Sequence, residues 1–314
     1  MQDNYDNRPA VALIAPSSAV TDPAGEQHEL NWHKLESVKK IFENQGFKVR
    51  YYENIFQPSD LPYIAAPKAE RFKQLQYALE DQDIKIIAVL RGGYGAQQIV
   101  FDLMNIVPSG PKIFIGFSDA TAINLLFNQH YNMASIHGIV SESHASATNK
   151  IFSLLKGKDD QHQLIQFNTK SVENTSIVTG ITAGGNLAML VSMLGTDLAP
   201  HFTDKIVILE DIGEPGYKIH RMLLQLYNAK IIQTAKAIIF ADFDGGDVLV
   251  ETSIRNFIEE YLPDRLVYRV TGIGHTDWTP FILGANAEIA DNVLVIKNPF
   301  STVFDTEINA LICK

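Results

Sequence analysis

At 314 residues, with 46% hydrophobic and 20% charged side chains, the chain has the composition of a soluble globular protein of one large or two ordinary domains. Its formal net charge of −10, without a basic run or basic–aromatic stripe, argues against a nucleic-acid partner. A single cysteine, Cys313, excludes an intrachain disulfide and a cysteine-built zinc site, and no apolar run is long enough to span a bilayer.

The opening residues, Met-Gln-Asp-Asn-Tyr-Asp-Asn-Arg-Pro, lack the basic segment, apolar stretch and small-residue cleavage site of a signal peptide, which predicts a cytoplasmic protein. In that compartment Asn174-Thr175-Ser176, although of glycosylation-acceptor form, has no consequence. Residues 11–15, a continuous apolar run ending in Pro16-Ser17-Ser18, read as a buried parallel strand. An amphipathic helix follows over 30–45, with Leu30, Leu35, Val38 and Ile41 on one side and Gly46 closing it. Residues 47–52 alternate like a second strand; beyond a loop carrying Pro58, Pro62 and Pro67, a helix is expected over about 69–80. Residues 84–90 form a third strand, which stops at Arg91-Gly92-Gly93-Tyr94-Gly95. A fourth, Ile113-Phe114-Ile115, runs into Gly116-Phe117-Ser118-Asp119-Ala120 and a helical pattern to Phe127. Strands and helices alternating at this spacing predict a parallel α/β sheet, whose ligands bind at the carboxyl ends of the strands.

Polar residues dominate 141–150 and 156–176, which divides the chain into a domain over 1–150, a linker region over 151–177 and a mixed α/β domain over 178–314. The last of these starts at Gly180 to Asn186 with a helix over 187–194 behind it. Residues 205–210 are a strand ending in acids: Glu210, Asp211 and, shortly after, Glu214. A helix over 217–227, a strand over 237–241 and a helix over 252–261 precede the strand 266–270, which leads into Thr271-Gly272-Ile273-Gly274-His275. The segments 287–289 and 292–296 read as a closing hairpin.

The stretch Gly116 to Ala120 is close to a Gly-x-Ser-x-Gly elbow, a tight strand-to-helix turn that lifts a hydroxyl above the sheet edge. Ser118 is therefore a nucleophile candidate, the alternative being an ordinary N-cap. A serine hydroxyl needs a neighbouring imidazole to take its proton, and a carboxylate to hold that imidazole in one tautomer. His275, in a glycine-rich turn after a strand, is the candidate base. Glu210, Asp211 and Glu214 compete as the acid, and Glu214 beside Pro215 could equally begin the next helix. Asn186 after its two glycines reads as the N-cap of its helix.

Taken together, Ala15-Pro16-Ser17-Ser18, Arg91-Gly92-Gly93-Tyr94-Gly95, Gly116-Phe117-Ser118-Asp119, Gly184-Gly185-Asn186-Leu187, Leu209-Glu210-Asp211-Ile212-Gly213-Glu214-Pro215 and Gly274-His275 resemble the LD-carboxypeptidases, serine peptidases of the S66 type. The blocks span nearly the whole chain. The resemblance implies Ser118 as nucleophile, His275 as general base and Glu210 as orienting acid. It further implies an oxyanion hole of backbone N–H groups from Gly92 or Gly93 and from Asp119. Also implied are an N-terminal class I glutamine amidotransferase-like parallel-sheet domain with a smaller C-terminal α/β domain, no cofactor or metal, and a homodimer. The implied reaction is hydrolysis of the bond between an L-diamino acid and the terminal D-alanine of murein tetrapeptides, or of their muramyl conjugates, in peptidoglycan recycling. Arg91, Tyr94 and His137 are candidate substrate contacts, Arg91 because a guanidinium can grip a carboxylate bidentately; the alternatives are a salt bridge bracing the glycine turn for Arg91 and an ordinary packing role for His137. Tyr217-Lys218-Ile219-His220-Arg221 departs from the Tyr-Arg-Ile-Asp-Arg of many relatives, as do the residues around His275, including Trp278. Alternative readings are a microcin C self-immunity-type peptidase of the same family and a non-catalytic peptidoglycan-fragment binder; Arg91 to Gly95 favours the murein branch.

Overall fold

The computed structural model describes residues 8–19, 27–167 and 177–300. In chain order they form β1 (Ala10–Ile14), α1 (Gln27–Asn44), β2 (Lys48–Tyr51), α2 (Lys68–Glu80), β3 (Ile84–Val89), α3 (Gln97–Leu103), β4 (Ile113–Gly116), α4 (Thr121–Leu125), β5 (Ser135–His137) and α5 (Ala145–Leu155). The remaining elements are β6 (Asp160–Gln163), β7 (Ile165–Gln166), β8 (Val178–Asn186), α6 (Leu187–Ser192), β9 (Lys205–Ile212), α7 (Gly216–Asn228), β10 (Ala237–Asp244), α8 (Val250–Tyr261), β11 (Val267–Arg269), β12 (Phe281–Leu283), β13 (Asn286–Ala290) and β14 (Val293–Ile296). Cys313, the Asn174-Thr175-Ser176 motif and residues 168–176 of the expected linker lie outside the described residues.

The chain divides into two compact units, neither a single stretch of sequence. The first holds the described residues of 1–120 and 139–158 with those from 299 onward; the second holds 121–138 and 159–298. Within the segment 151–177, the end of α5 falls in the first unit and β6 and β7 in the second.

In the first unit, β1 pairs in parallel with β2 on one side and β3 on the other, and β3 pairs in parallel with β4. Every residue of β1 and β4 is buried, as is all of β3 but Lys85, which is why these strands read as unbroken apolar runs. Phe42 of α1 packs edge-to-face on Phe47 and on Phe152 of α5, with ring centroids 5.9 and 5.4 Å apart. Each such ring contributes roughly 1.5–3 kcal/mol by leaving water. The carboxyl ends of β1, β3 and β4 carry Ser17-Ser18, the Arg91 to Gly95 turn and Ser118.

The second unit contains an eight-stranded mixed sheet of order β6-β14-β13-β8-β9-β10-β11-β7. Its centre, β8 to β11, is parallel, while β13, β14, β6 and β7 pair antiparallel. The hairpin expected near the C-terminus is β13 and β14. A short antiparallel pair, β5 with β12, sets Phe281 opposite His137. Sequence patterning does not announce β6, because its inward residues are polar: Asp160 and His162 are buried, with Nε2 and Oδ1 2.9 Å apart, and Asp160 Oδ2 accepts from Ile282 N–H at 3.1 Å.

Candidate active site

Ser118 follows the last residues of β4 in a turn so sharp that its own φ is +54°, a left-handed conformation uncommon for a residue with a side chain. Such a backbone costs on the order of 1–2 kcal/mol and persists only where the surroundings impose it. The surroundings are tight: a Cβ on Gly116 would lie 2.6 Å from the Phe114 ring and 2.9 Å from Ala120 Cβ. Ser118 then opens a 3₁₀ turn, Ser118–Ala120, where the sequence predicted the start of an α-helix. The helical stretch is shorter and less regular than its apolar periodicity implied, with α4 followed by a π turn over Leu126–His130.

Against this serine lies the backbone of Gly92, close enough that a Cβ there would stand 2.9 Å from Ser118 Cβ and 3.2 Å from Oγ. Gly93, at φ +111°, turns the chain away, and Tyr94 N–H donates to Ser18 Oγ at 3.0 Å. Ser18 N–H in turn donates to the Gly92 carbonyl at 3.2 Å, so Ser18 clasps the glycine turn from both sides. Beneath it Arg71 of α2 is fully buried, donating to the carbonyls of Pro16 and Gly95 at 2.7 Å, to that of Ala66 at 2.8 Å, and to the Gln98 side chain. Asp119 is also buried and accepts from Ala96 N–H at 2.8 Å, which ties the elbow to the far end of the turn. Burial pushes its carboxyl above the ordinary range despite these bonds. Arg91 donates to the Ala19 carbonyl at 2.7 Å, and Tyr94, half exposed, stands beside Tyr63 with centroids 6.1 Å apart.

The second unit brings Glu210 and His275 together. Glu210, near the end of β9, has 1% of its surface exposed, and its Oε2 is 2.9 Å from His275 Nδ1. Its other oxygen, Oε1, is 3.3 Å from Nε2 of His137. Burial alone would raise this carboxyl; the hydrogen bonds from His137 and His275 outweigh it and hold the group at about 2. Burial pulls His275 down, but the Glu210 carboxylate, backed by Asp211 and Asp244, raises its imidazole above the usual histidine value.

The competing acids have other duties. Asp211 accepts from Asn186 Nδ2 at 3.0 Å, from Ala188 N–H at 2.9 Å and from its neighbour Ile212 N–H at 2.8 Å; burial and the Glu210 charge push it to about 6. Glu214 pairs with Lys218 at 3.1 Å. Asn186 caps α6 as expected, accepting from Met189 N–H at 3.1 Å. Sequence reasoning gave Ser18 no role of its own and missed Arg71, Asp242 and Asp244. Asp244 Oδ2 accepts the N–H groups of His275 and Thr276 at 3.1 and 3.0 Å, and Asp242 accepts that of Gly272 at 2.7 Å, so β10 anchors the His275 loop. The signal was present: β10 ends in acids at 242 and 244, as β9 does at 210 and 211. Among the described residues, no group of His, Cys, Asp or Glu is arranged to hold a metal ion, and no helix is long and apolar enough to cross a membrane.

A protein with a strained serine turn at a parallel strand end, and a buried carboxylate bonded to an imidazole, has the groups that acyl-transfer hydrolases use. The chain belongs to the LD-carboxypeptidase family: residues 11–138 match its N-terminal domain and 179–289 its C-terminal domain. A carboxypeptidase-named protein of Rickettsia conorii is 31% identical over 291 residues, 89% of this chain and 87% of that one. The murein tetrapeptide carboxypeptidase of Pseudomonas aeruginosa is 29% identical over 250 residues, 74% of this chain and 76% of its own. In fold, the chain is similar to muramoyltetrapeptide carboxypeptidase from Oxalobacter formigenes, with a TM-score of 0.72 at 24% identity over 91% of this chain and 98% of the other. It is also similar to the microcin C7 self-immunity protein MccF, with a TM-score of 0.71 at 16% identity over 93% and 98%.

Proposed function

We propose that this protein is a serine-type LD-carboxypeptidase that removes the terminal D-alanine from murein tetrapeptides, with Ser118 as nucleophile, His275 as general base and Glu210 as orienting acid. The observation that carries the reading is the 2.9 Å contact between Glu210 Oε2 and His275 Nδ1. With Nδ1–H given to an ionised, buried carboxylate, Nε2 is the basic nitrogen, as general-base catalysis on a hydroxyl requires. In the reaction Ser118 Oγ attacks the carbonyl carbon of the diamino acid as its proton passes to His275. The tetrahedral oxyanion is met by backbone N–H groups of Gly92 or Gly93 and of Asp119. His275 then protonates the departing amine of D-alanine, leaving an acyl-Ser118 ester. A water deprotonated by His275 hydrolyses that ester and restores the hydroxyl. The φ of +54° at Ser118 and the closeness of Gly92 to it support these roles. Arg91 and Tyr94 are the proposed substrate contacts, Arg91 for a carboxylate.

Family membership and the name of the Pseudomonas relative support the murein substrate. The similarity of fold to MccF keeps a second substrate type in view, an aminoacyl or peptidyl nucleotide. Parallel assays with a muramyl tetrapeptide and an aminoacyl nucleotide decide between them. Release of D-alanine that Ser118→Ala abolishes, in a variant with native circular dichroism, is the expected result. Turnover of the nucleotide alone, or fragment binding with no turnover of either, would refute the murein assignment. The same reading proposes a glutamine amidotransferase-type sheet in the N-terminal part, a cytoplasmic location, and a homodimer detectable by sedimentation.

A further inference from the structure

We infer that His137 is a positioning residue for Glu210, holding the carboxylate in the orientation His275 needs, and not a contact for substrate. The inference rests on the proposed Glu210–His275 pair. A carboxylate has two oxygens, and one bonded to a single imidazole can swing about its side-chain torsions. Here each oxygen faces a different imidazole nitrogen at ion-pair distance: His275 Nδ1 at 2.9 Å from Oε2 and His137 Nε2 at 3.3 Å from Oε1. The carboxylate is 1% exposed, so no water-facing direction competes for these lone pairs.

The His137 ring is itself held in a slot. Phe281 of β12 stacks on it with centroids 4.8 Å apart and planes 27° from parallel, fixed by the register that sets Phe281 opposite His137. On another side lies Gly185 of β8; a Cβ there would stand 3.4 Å from His137 Nδ1 and 2.9 Å from the Thr121 side chain. His137 is 6% exposed, and the ring nitrogen that the Glu210 carboxylate approaches is Nε2, at 3.3 Å. The geometry therefore assigns Nε2–H as the donor, aimed at Glu210, with the ring unable to turn that proton elsewhere. A substrate contact would instead need a ring nitrogen directed into open space. The depressed ionisation of Glu210 agrees, since His137 is one of the two donors that hold it. Other ionisable groups acting on the pair are Asp211 beside Glu210 and Asp244 behind the His275 amide, with Asp242, Asp277 and Arg269 around the same loop.

The test compares His137→Gln with His137→Asn in the full chain. A glutamine amide nitrogen reaches about where Nε2 lies and can still donate to Glu210. The asparagine amide ends near the Nδ1 position and cannot. We expect His137→Asn to lower kcat by roughly 10–10²-fold with KM within about twofold. Losing the donor also leaves more of the Glu210 charge to His275, whose imidazole should then titrate at higher pH by ¹³C NMR. His137→Gln should recover most of both changes. An increase in KM with kcat intact would make His137 a substrate contact. Equal loss in the two variants with unmoved His275 titration would make it a space-filler. Either result overturns the inference. In the unmutated chain, long-range ¹⁵N–¹H spectra should find the His137 proton on Nε2, and a bare Nε2 would overturn it independently of folding in any variant. These NMR readouts stand even if the chain releases no D-alanine, an outcome that would refute the proposed function alone.

Discussion

Replacing Gly92 with alanine is a one-carbon perturbation aimed at the proposed nucleophile, Ser118. The added Cβ would stand 2.9 Å from Ser118 Cβ, 3.2 Å from its Oγ and 3.4 Å from the Phe117 carbonyl oxygen. Since ordinary contacts lie at 3.4–4 Å, the two backbones must part by about 0.5–1 Å. Gly92 is not among the glycines with positive φ, so the substitution adds no left-handed strain of its own. Its cost is the overlap, about 1–3 kcal/mol for an extra methyl in a packed site. Ser118 cannot retreat cheaply, because it already holds a left-handed φ of +54° in a turn so tight that a Cβ on Gly116 would meet Phe114 at 2.6 Å and Ala120 at 2.9 Å. The displacement therefore falls on the hydroxyl and on the glycine turn, and a shift approaching 1 Å in a reacting atom costs ~10²-fold in rate. We expect Gly92→Ala to fold, melt a few degrees lower and lose about 10²-fold in kcat/KM for D-alanine release. Gly93→Ala is the control: at φ +111°, with its Cβ driven into Ser18, it should lose considerably more stability. The assays are thermal melting by circular dichroism and steady-state D-alanine release. Wild-type kcat/KM in Gly92→Ala would refute the reasoning.

Further outcomes follow from the charged groups of the second unit. Glu210→Gln should lower kcat by roughly 10³–10⁴-fold, as loss of an orienting carboxylate does in serine hydrolases. The stability of the wild type relative to that variant should be level between about pH 4.5 and 6.5. It should fall as pH drops through the lowered Glu210 value of about 2, and fall again as pH rises through the raised value of His275, since each charged partner is then lost; denaturant melts across pH check this. Because the proposed base, His275, must be neutral to act and its value is raised, the acid limb of kcat/KM should lie above the ordinary 6.5. Asp244→Asn keeps the side-chain shape but weakens acceptance from the His275 and Thr276 N–H groups; a 10–10²-fold loss in kcat with unchanged KM is expected.

The strands β1, β3 and β4 were legible because burial on both faces leaves an unbroken apolar signature, and the elbow because so tight a turn restricts what can flank Ser118. The choice among Glu210, Asp211 and Glu214 was not legible from residue types. All are acids at one strand end, and only their partners separate them: His275 for Glu210, Asn186 for Asp211 and Lys218 for Glu214. Nor could periodicity find the polar inward face of β6, or a buried Arg71 in an otherwise amphipathic α2, since each relies on backbone groups distant in sequence: Ile282 N–H donates to Asp160, and the Pro16 and Gly95 carbonyls accept from Arg71. His137 was legible as a residue near the end of a short strand. Its engagement with Glu210 depends on pairing between β5 and β12 and on the close approach of Gly185, which no local pattern encodes.

The central claim, that Ser118 is the nucleophile driven by His275, is tested most directly by peptide mapping after treatment with a fluorophosphonate. The account predicts stoichiometric phosphonylation of Ser118 at pH 8, slowed by more than about 10³-fold in His275→Ala. Labelling elsewhere, or labelling of Ser118 at the wild-type rate without His275, would contradict it.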